Sequence, residues 1–197
     1  MIDTTPYMAW IEWTAVITGL LFIVMMIAEN TWTWFFGIIS SALFVYIMYV
    51  SQLYSESLLY VVYVIIGVYG WYKWSDKSKG AVEITTADRD TLIIIIVTGI
   101  VLTLALGTLM KQILTDSFSP YCDAFTSVFG LIASYMEAQK WVSSWLFWIV
   151  INAVSIWLYM SRELNISSIL MFVYFVLSIA GFFAWRKKYF SSKTTKA

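Results

Sequence analysis

Residues 34 to 74 align without a gap on residues 145 to 185 at a constant offset of 111. Of these 41 pairs 11 are identical, against roughly three expected by chance in a chain this apolar. Trp34 falls on Trp145, Tyr63 on Tyr174, Gly70 on Gly181 and Trp74 on Trp185. The same offset carries Gly19 and Leu20 onto Gly130 and Leu131, and Met25 onto Met136. The chain must therefore fold as two related apolar units, which leaves few architectures open.

Composition names the solvent. With 61% hydrophobic and 12% charged residues and a mean hydropathy of +0.79, the chain lies far from soluble domains, where about 25% of residues are charged. A hydrocarbon core of about 30 Å takes about 20 apolar residues per helix. Seven spans are predicted, near 8–28, 33–50, 57–74, 92–111, 121–139, 145–160 and 166–185. They form a single integral membrane domain over 1–197: a first repeat over about 8–74, a linker helix over about 92–111, a second repeat over about 121–185, and a cytoplasmic tail over 186–197. The tail from about 189 is expected to be disordered. The first span has no basic flank or small-residue cleavage site and reads as a retained helix.

Seven crossings alternate sides. One side collects ten of the twelve basic residues, leaving only Lys111 and Arg162 on the other. Positive residues stay in cytoplasmic loops, so the N-terminus is expected outside and the C-terminus inside. Helices 1 to 3 then correspond to helices 5 to 7 with helix 4 as a linker, and four crossings separate equivalent helices. This is an all-α 3+1+3 membrane fold of two parallel three-helix repeats, an organisation typical of transporters, which place substrate between repeats near the midplane.

A polar side chain inside a membrane is costly and marks a packed interior or a cavity. Helix 5 places Asp123, Ser127, Gly130, Ser134 and Glu137 at steps of 4, 3, 4 and 3, which keeps them on one face. Helix 6 repeats the pattern with Trp145, Trp148, Asn152, Ser155 and Tyr159, and helix 2 offers Trp34, Gly37 and Ser41. Tyr60 and Tyr63 on helix 3 and Tyr174 and Ser178 on helix 7 extend the aromatic wall. Asn152 has more hydrogen-bonding capacity than its own backbone can satisfy, so it is read as a ligand contact, with interhelical bonding as the simpler role. Asp123 serves equally well as a helix-start carboxylate. Glu137 either reaches water beside Lys140 or faces ligand. Trp32, Trp71, Tyr72, Trp74, Trp141 and Trp185 lie near helix ends and are expected as interfacial anchors. Gly19, Gly67, Gly130 and Gly181 are expected to be close-packing sites.

The chain has no histidine and a single cysteine, Cys122. That rules out a structural zinc cluster, an intrachain disulfide and a Cys-His nucleophile pair. There is no GxxxxGK[ST] loop for ATP and no basic groove for nucleic acid. No enzyme activity and no cofactor are expected. A vitamin-binding membrane subunit of an ATP-driven complex is a less favoured alternative, because its usual AxxxA pattern in the first helix is missing. A passive scaffold would not need matched polar stripes.

The stretches from Glu29 to Trp74, Ser119 to Phe125 and Trp141 to Tyr159 resemble the bacterial PnuC-type vitamin transporters. The most specific pieces are the YGWYxW ending of helix 3 and WxxWxxxN on Trp145, Trp148 and Asn152. The resemblance covers almost the whole chain. It implies a SWEET-like fold, a homotrimer in the bacterial inner membrane, and uptake of a vitamin by facilitated diffusion, with a cytoplasmic kinase trapping it by phosphorylation. It also implies that Trp145, Trp148 and Asn152 line the substrate site.

Two departures from the family pattern bear on substrate: Tyr60 stands where nicotinamide riboside transporters tend to have Gln, and Glu137 where a small or apolar residue is usual. Cys122 also stands where an aromatic is usual. Tyr60 tips the expectation to thiamine, with nicotinamide riboside as the alternative. A cation stacked on aromatic rings suits both. The expected contacts are Trp148 with Tyr63 or Tyr174 for stacking, Asn152 and Ser41 for hydrogen bonds, and Glu137 or Asp123 for charge.

Overall fold

A computed structural model describes residues 6–76, 82–113, 119–163 and 165–196. Among the described residues seven helices follow one another: α1 (Pro6–Ile27), α2 (Thr33–Val50), α3 (Tyr54–Ser75), α4 (Arg89–Ile113), α5 (Pro120–Ala138), α6 (Ser143–Ser161) and α7 (Asn165–Lys196). Each predicted span falls within a few residues of one of them, except that α7 runs eleven residues beyond the predicted end at 185, and no strand occurs among the described residues. Five, namely α1, α2, α4, α6 and α7, are long and apolar enough to cross a membrane. The other two, α3 and α5, carry the Tyr, Ser, Gly and carboxylate positions that lower their hydropathy. On α5 Gly130, Ser134 and Glu137 are buried, because protein rather than lipid surrounds them. The disordered tail expected from about 189 is instead helical, since α7 continues unbroken to Lys196.

The chain divides into two compact units, one ending at Val82 and one starting at Glu83. In the first, α2 packs against both α1 and α3. Hydroxyls stitch these helices together: Thr33 Oγ1 donates to the Phe22 carbonyl at 2.6 Å, Ser40 Oγ to Ala15 at 2.8 Å and Ser57 Oγ to Val45 at 3.0 Å. Ser40 thus bonds across to α1 and not to its own helix. Such bonds hold helices where no hydrophobic force separates protein from lipid, each contributing about 0.6 kcal/mol.

In the second unit α6 packs against α5 and α7, repeating the order of the first unit, and α4 packs on α5. The linker helix therefore belongs physically to the second unit. Its seating depends on glycines: a Cβ at Gly99 would strike the Phe129 ring and one at Gly107 the Tyr121 ring. Thr85, in the segment before α4, pairs with the α5–α6 turn. Its N–H donates to the Lys140 carbonyl at 3.0 Å, and its carbonyl accepts from Val142 N–H at 2.9 Å.

The duplication reaches the backbone of the turns. Glu29 (φ 57°) and Lys140 (φ 55°) end α1 and α5 in the left-handed region, and Gln52 (φ 61°) and Glu163 (φ 58°) end α2 and α6. Both pairs are 111 residues apart. After α1, Glu29 N–H donates to Met26 and Asn30 N–H to Met25. After α5, Lys140 N–H donates to Glu137 and Trp141 N–H to Met136. This closure satisfies the last helical carbonyls, and it is built here without glycine, at a cost of roughly 1–2 kcal/mol per residue. Matching strained turns at one offset mark a shared frame.

Candidate functional site

The aromatic frame comes first. Trp34 and Trp74 meet edge to face at 5.4 Å and 90°, and Trp145 and Trp185 do so at 5.4 Å and 86°. Each inner ring lies against a glycine: a Cβ on Gly70 would enter the Trp34 ring, and one on Gly181 the Trp145 ring. Trp145 and Trp185 are wholly buried and Trp74 is 9% exposed. The expected interfacial role is therefore corrected for Trp74 and Trp185, whose rings close on a partner helix instead. Trp32 and Tyr72 are exposed, and Trp32 meets Trp71 at 5.5 Å. Gly67, facing Ile38, and Gly181 are close-packing sites.

On this frame the second unit arranges its polar groups. Asn152, 4% exposed, donates from Nδ2 to Ser178 Oγ at 3.1 Å, and Ser178 Oγ donates to the Tyr174 carbonyl at 2.8 Å. The relay fixes the amide between α6 and α7. Trp148, one helical turn from Asn152, packs against the Phe129, Ala133 and Ile151 core of the α5–α6 interface. Ser134 is buried on α5.

Glu137 is 2% exposed, so the solvated position beside Lys140 is corrected: the carboxyl lies inside the unit. The Trp148 indole N–H is within electrostatic reach of that carboxyl, but neither Trp148 Nε1 nor Glu137 Oε2 completes a hydrogen bond. Trp145 Nε1 and the hydroxyls of Ser143 and Ser144 are buried without a partner as well. Buried polar atoms are nearly always satisfied, so this stretch of α5 and α6 holds unused donors and acceptors beside an aromatic wall.

Asp123 is engaged elsewhere. Arg162 Nη2, at the end of α6, donates to its Oδ2 at 2.6 Å, and this ion pair ties the start of α5 to the end of α6. The pair is not among the expectations from sequence, although Arg162 is one of only two basic residues on its predicted side and Asp123 begins helix 5 on the same side. In the first unit Tyr60 stacks on Phe44 at 4.9 Å and 17° and meets Tyr63 at 5.9 Å. Ser41, Tyr63 and Tyr174 are half-buried, and Trp34 is buried in its ring pair.

Duplicated apolar helices, an interior aromatic frame and a buried amide and carboxylate describe a polytopic membrane carrier. The chain belongs to the nicotinamide mononucleotide transporter family, whose model matches residues 9–187. It is similar to the nicotinamide riboside transporter PnuC of Escherichia coli (strain K12), with 26% identity covering 90% of this chain and 85% of that protein. It is also similar to the riboflavin/roseoflavin transporter RibM of Streptomyces davaonensis, with 25% identity covering 91% and 85%. The crystal structure of the vitamin B3 transporter PnuC shares the fold, with a TM-score of 0.72 at 23% identity, covering 91% of this chain and 81% of that one. These relatives are transporters rather than enzymes, and the chain is a multi-pass membrane protein of the same kind. The relatives carry nicotinamide riboside or riboflavin in their names, which backs the nicotinamide riboside alternative better than thiamine, and one ring face of Tyr60, the residue that tips the expectation to thiamine, is already taken by Phe44.

Proposed function

We propose that this chain takes up nicotinamide riboside across the bacterial inner membrane by facilitated diffusion. The observation that carries the reading is a family match along nearly the whole chain, with retention of Trp145, Trp148 and Asn152. Asn152 is the hydrogen-bonding group for the carboxamide or ribose, and its pairing with Ser178 sets its direction. Trp148 and Tyr174 stack the pyridinium ring, Ser134 adds a hydroxyl, and the Glu137 carboxylate offsets the positive charge. Trp34 and Trp145 shape the frame behind these groups. Riboflavin is the second reading, supported by the likeness to RibM. A buried carboxylate serves a cation better than that neutral ring system.

The proposal includes the 3+1+3 arrangement with all seven helices crossing and an outside N-terminus. It also includes homotrimeric assembly and trapping of the imported vitamin by a cytoplasmic kinase. The repeated turns at Glu29 and Lys140 and at Gln52 and Glu163 support the equivalence of helices 1–3 and 5–7. Isothermal titration of the purified protein with nicotinamide riboside, riboflavin and thiamine tests the substrate, with tightest binding expected for the riboside. Counterflow in proteoliposomes tests the transport mode, and acceleration by a proton or sodium gradient would reject facilitated diffusion.

A further inference from the structure

The second unit carries a cleft of about 220 Å³ where α7 runs past the starts of α4 and α6, lined among others by Leu92, Ser143, Leu146, Phe182, Arg186 and Phe190. Small-molecule sites begin at roughly 300 Å³, so this space suits part of a chain rather than a whole vitamin. Its walls are apolar. Leu146 and Phe190 remain about half exposed, and Arg186 lies over the rings of Phe182 and Phe190, at 5.8 and 5.7 Å from their centroids.

Ser143 is one of the residues that line the cleft, and its hydroxyl is buried without a partner. The 32 residues of α7 span about 48 Å, well beyond a hydrocarbon core of about 30 Å. Its projecting part bears Arg186, Lys187, Lys188, Lys193 and Lys196, and no acidic residue follows Glu163. The acid just before α4, Asp88, is turned to its own helix start, where it accepts from Thr91 N–H at 2.9 Å.

We infer that this cleft holds an anionic phospholipid, with the upper acyl chain against Leu92, Leu146 and Phe190, the phosphate on Arg186, and an ester or phosphate oxygen accepting from Ser143. An apolar slot with a cation at its mouth and an unpartnered hydroxyl on a lining residue matches the join of chain and headgroup. Basic pockets between helices at the cytoplasmic face favour such lipids. The inference rests on the proposed membrane orientation but not on the identity of the vitamin. Retained lipid selectivity in a chain that binds no vitamin would count against the transport reading alone.

Native mass spectrometry of the full chain from mixed phosphatidylglycerol and phosphatidylcholine micelles tests it. One phosphatidylglycerol per chain is expected to be retained in preference. Arg186→Gln should lower that preference about fivefold, from about 1 kcal/mol per basic residue near an anionic surface. Ser143→Leu, which fills the slot, should lower it as well, whereas Lys193→Gln with Lys196→Gln should leave it intact. An unchanged preference in both cleft variants overturns the assignment. So does a loss confined to the lysine variant, which means diffuse attraction to the helix end, or displacement by glycerol 3-phosphate, which means a free phosphate site.

Discussion

Trp145 stands edge-on to Trp185 at 5.4 Å with its ring against Gly181, and 111 residues earlier Trp34 stands in the same relation to Trp74 and Gly70. A tryptophan of one helix thus fills the space that a glycine on the next leaves open. Gly181→Ala should displace the ring and cost about 1–3 kcal/mol, read as a lowered thermal midpoint in detergent. Gly70→Ala should do the same in the first unit. An unchanged midpoint for both would mean that the frame repacks freely.

Asn152→Ala removes both the bond to Ser178 and the proposed substrate contact. Vitamin affinity should fall about tenfold, the loss of a hydrogen bond worth about 1.4 kcal/mol in a desolvated site. Ser178→Ala removes only the orienting partner, so its effect should be smaller in titration calorimetry. Equal losses would assign Asn152 to packing alone.

Glu137→Met copies Met26, the residue at the equivalent position of the first unit, which is also fully buried. The fold should tolerate it. Affinity for a cationic vitamin should drop several-fold while affinity for riboflavin does not. If both ligands respond alike, the carboxylate has no role in recognising charge.

The Arg162 and Asp123 side chains are 30% and 21% exposed, so solvent weakens their ion pair. A double-mutant cycle through Arg162→Ala and Asp123→Ala should give a coupling of about 1 kcal/mol or less, shrinking in high salt. A much larger coupling would place the pair in a drier setting than its exposure indicates.

Asp88 caps α4 by accepting from Thr91 N–H at 2.9 Å and Thr91 Oγ1 at 2.7 Å, and these bonds hold its carboxyl below the usual 3.8. A carboxyl lowered on folding contributes stability above its unfolded pKa and loses it as pH falls through the folded value. Asp88→Asn keeps a cap without a titrating group. The thermal advantage of wild type over Asp88→Asn should therefore diminish on acidification below about pH 4; an advantage that grows there would remove Asp88 from the capping role.

Much of the candidate site was legible because membrane burial makes polar residues conspicuous: the spacing on α5 and α6 selects Ser134, Glu137, Trp148 and Asn152 without a structure. Spacing does not say what each of them touches. Asn152 faces Ser178 only because α6 and α7 pack in one register, and Asp123 meets Arg162 only because α5 and α6 run side by side. Trp185, placed at the interface by its position near the end of a predicted span, is buried because its ring closes on Trp145 of α6.

The sequence by itself determined the seven apolar segments, the duplication at 111 and the polar faces, since each is a periodicity along the chain set by helix geometry and the bilayer. Only the tertiary structure decided which tryptophans are core, that the fourth helix belongs with the second unit, and that Glu137 is enclosed. Those outcomes depend on which helix faces meet, and a contact between distant segments leaves no period in the sequence to read.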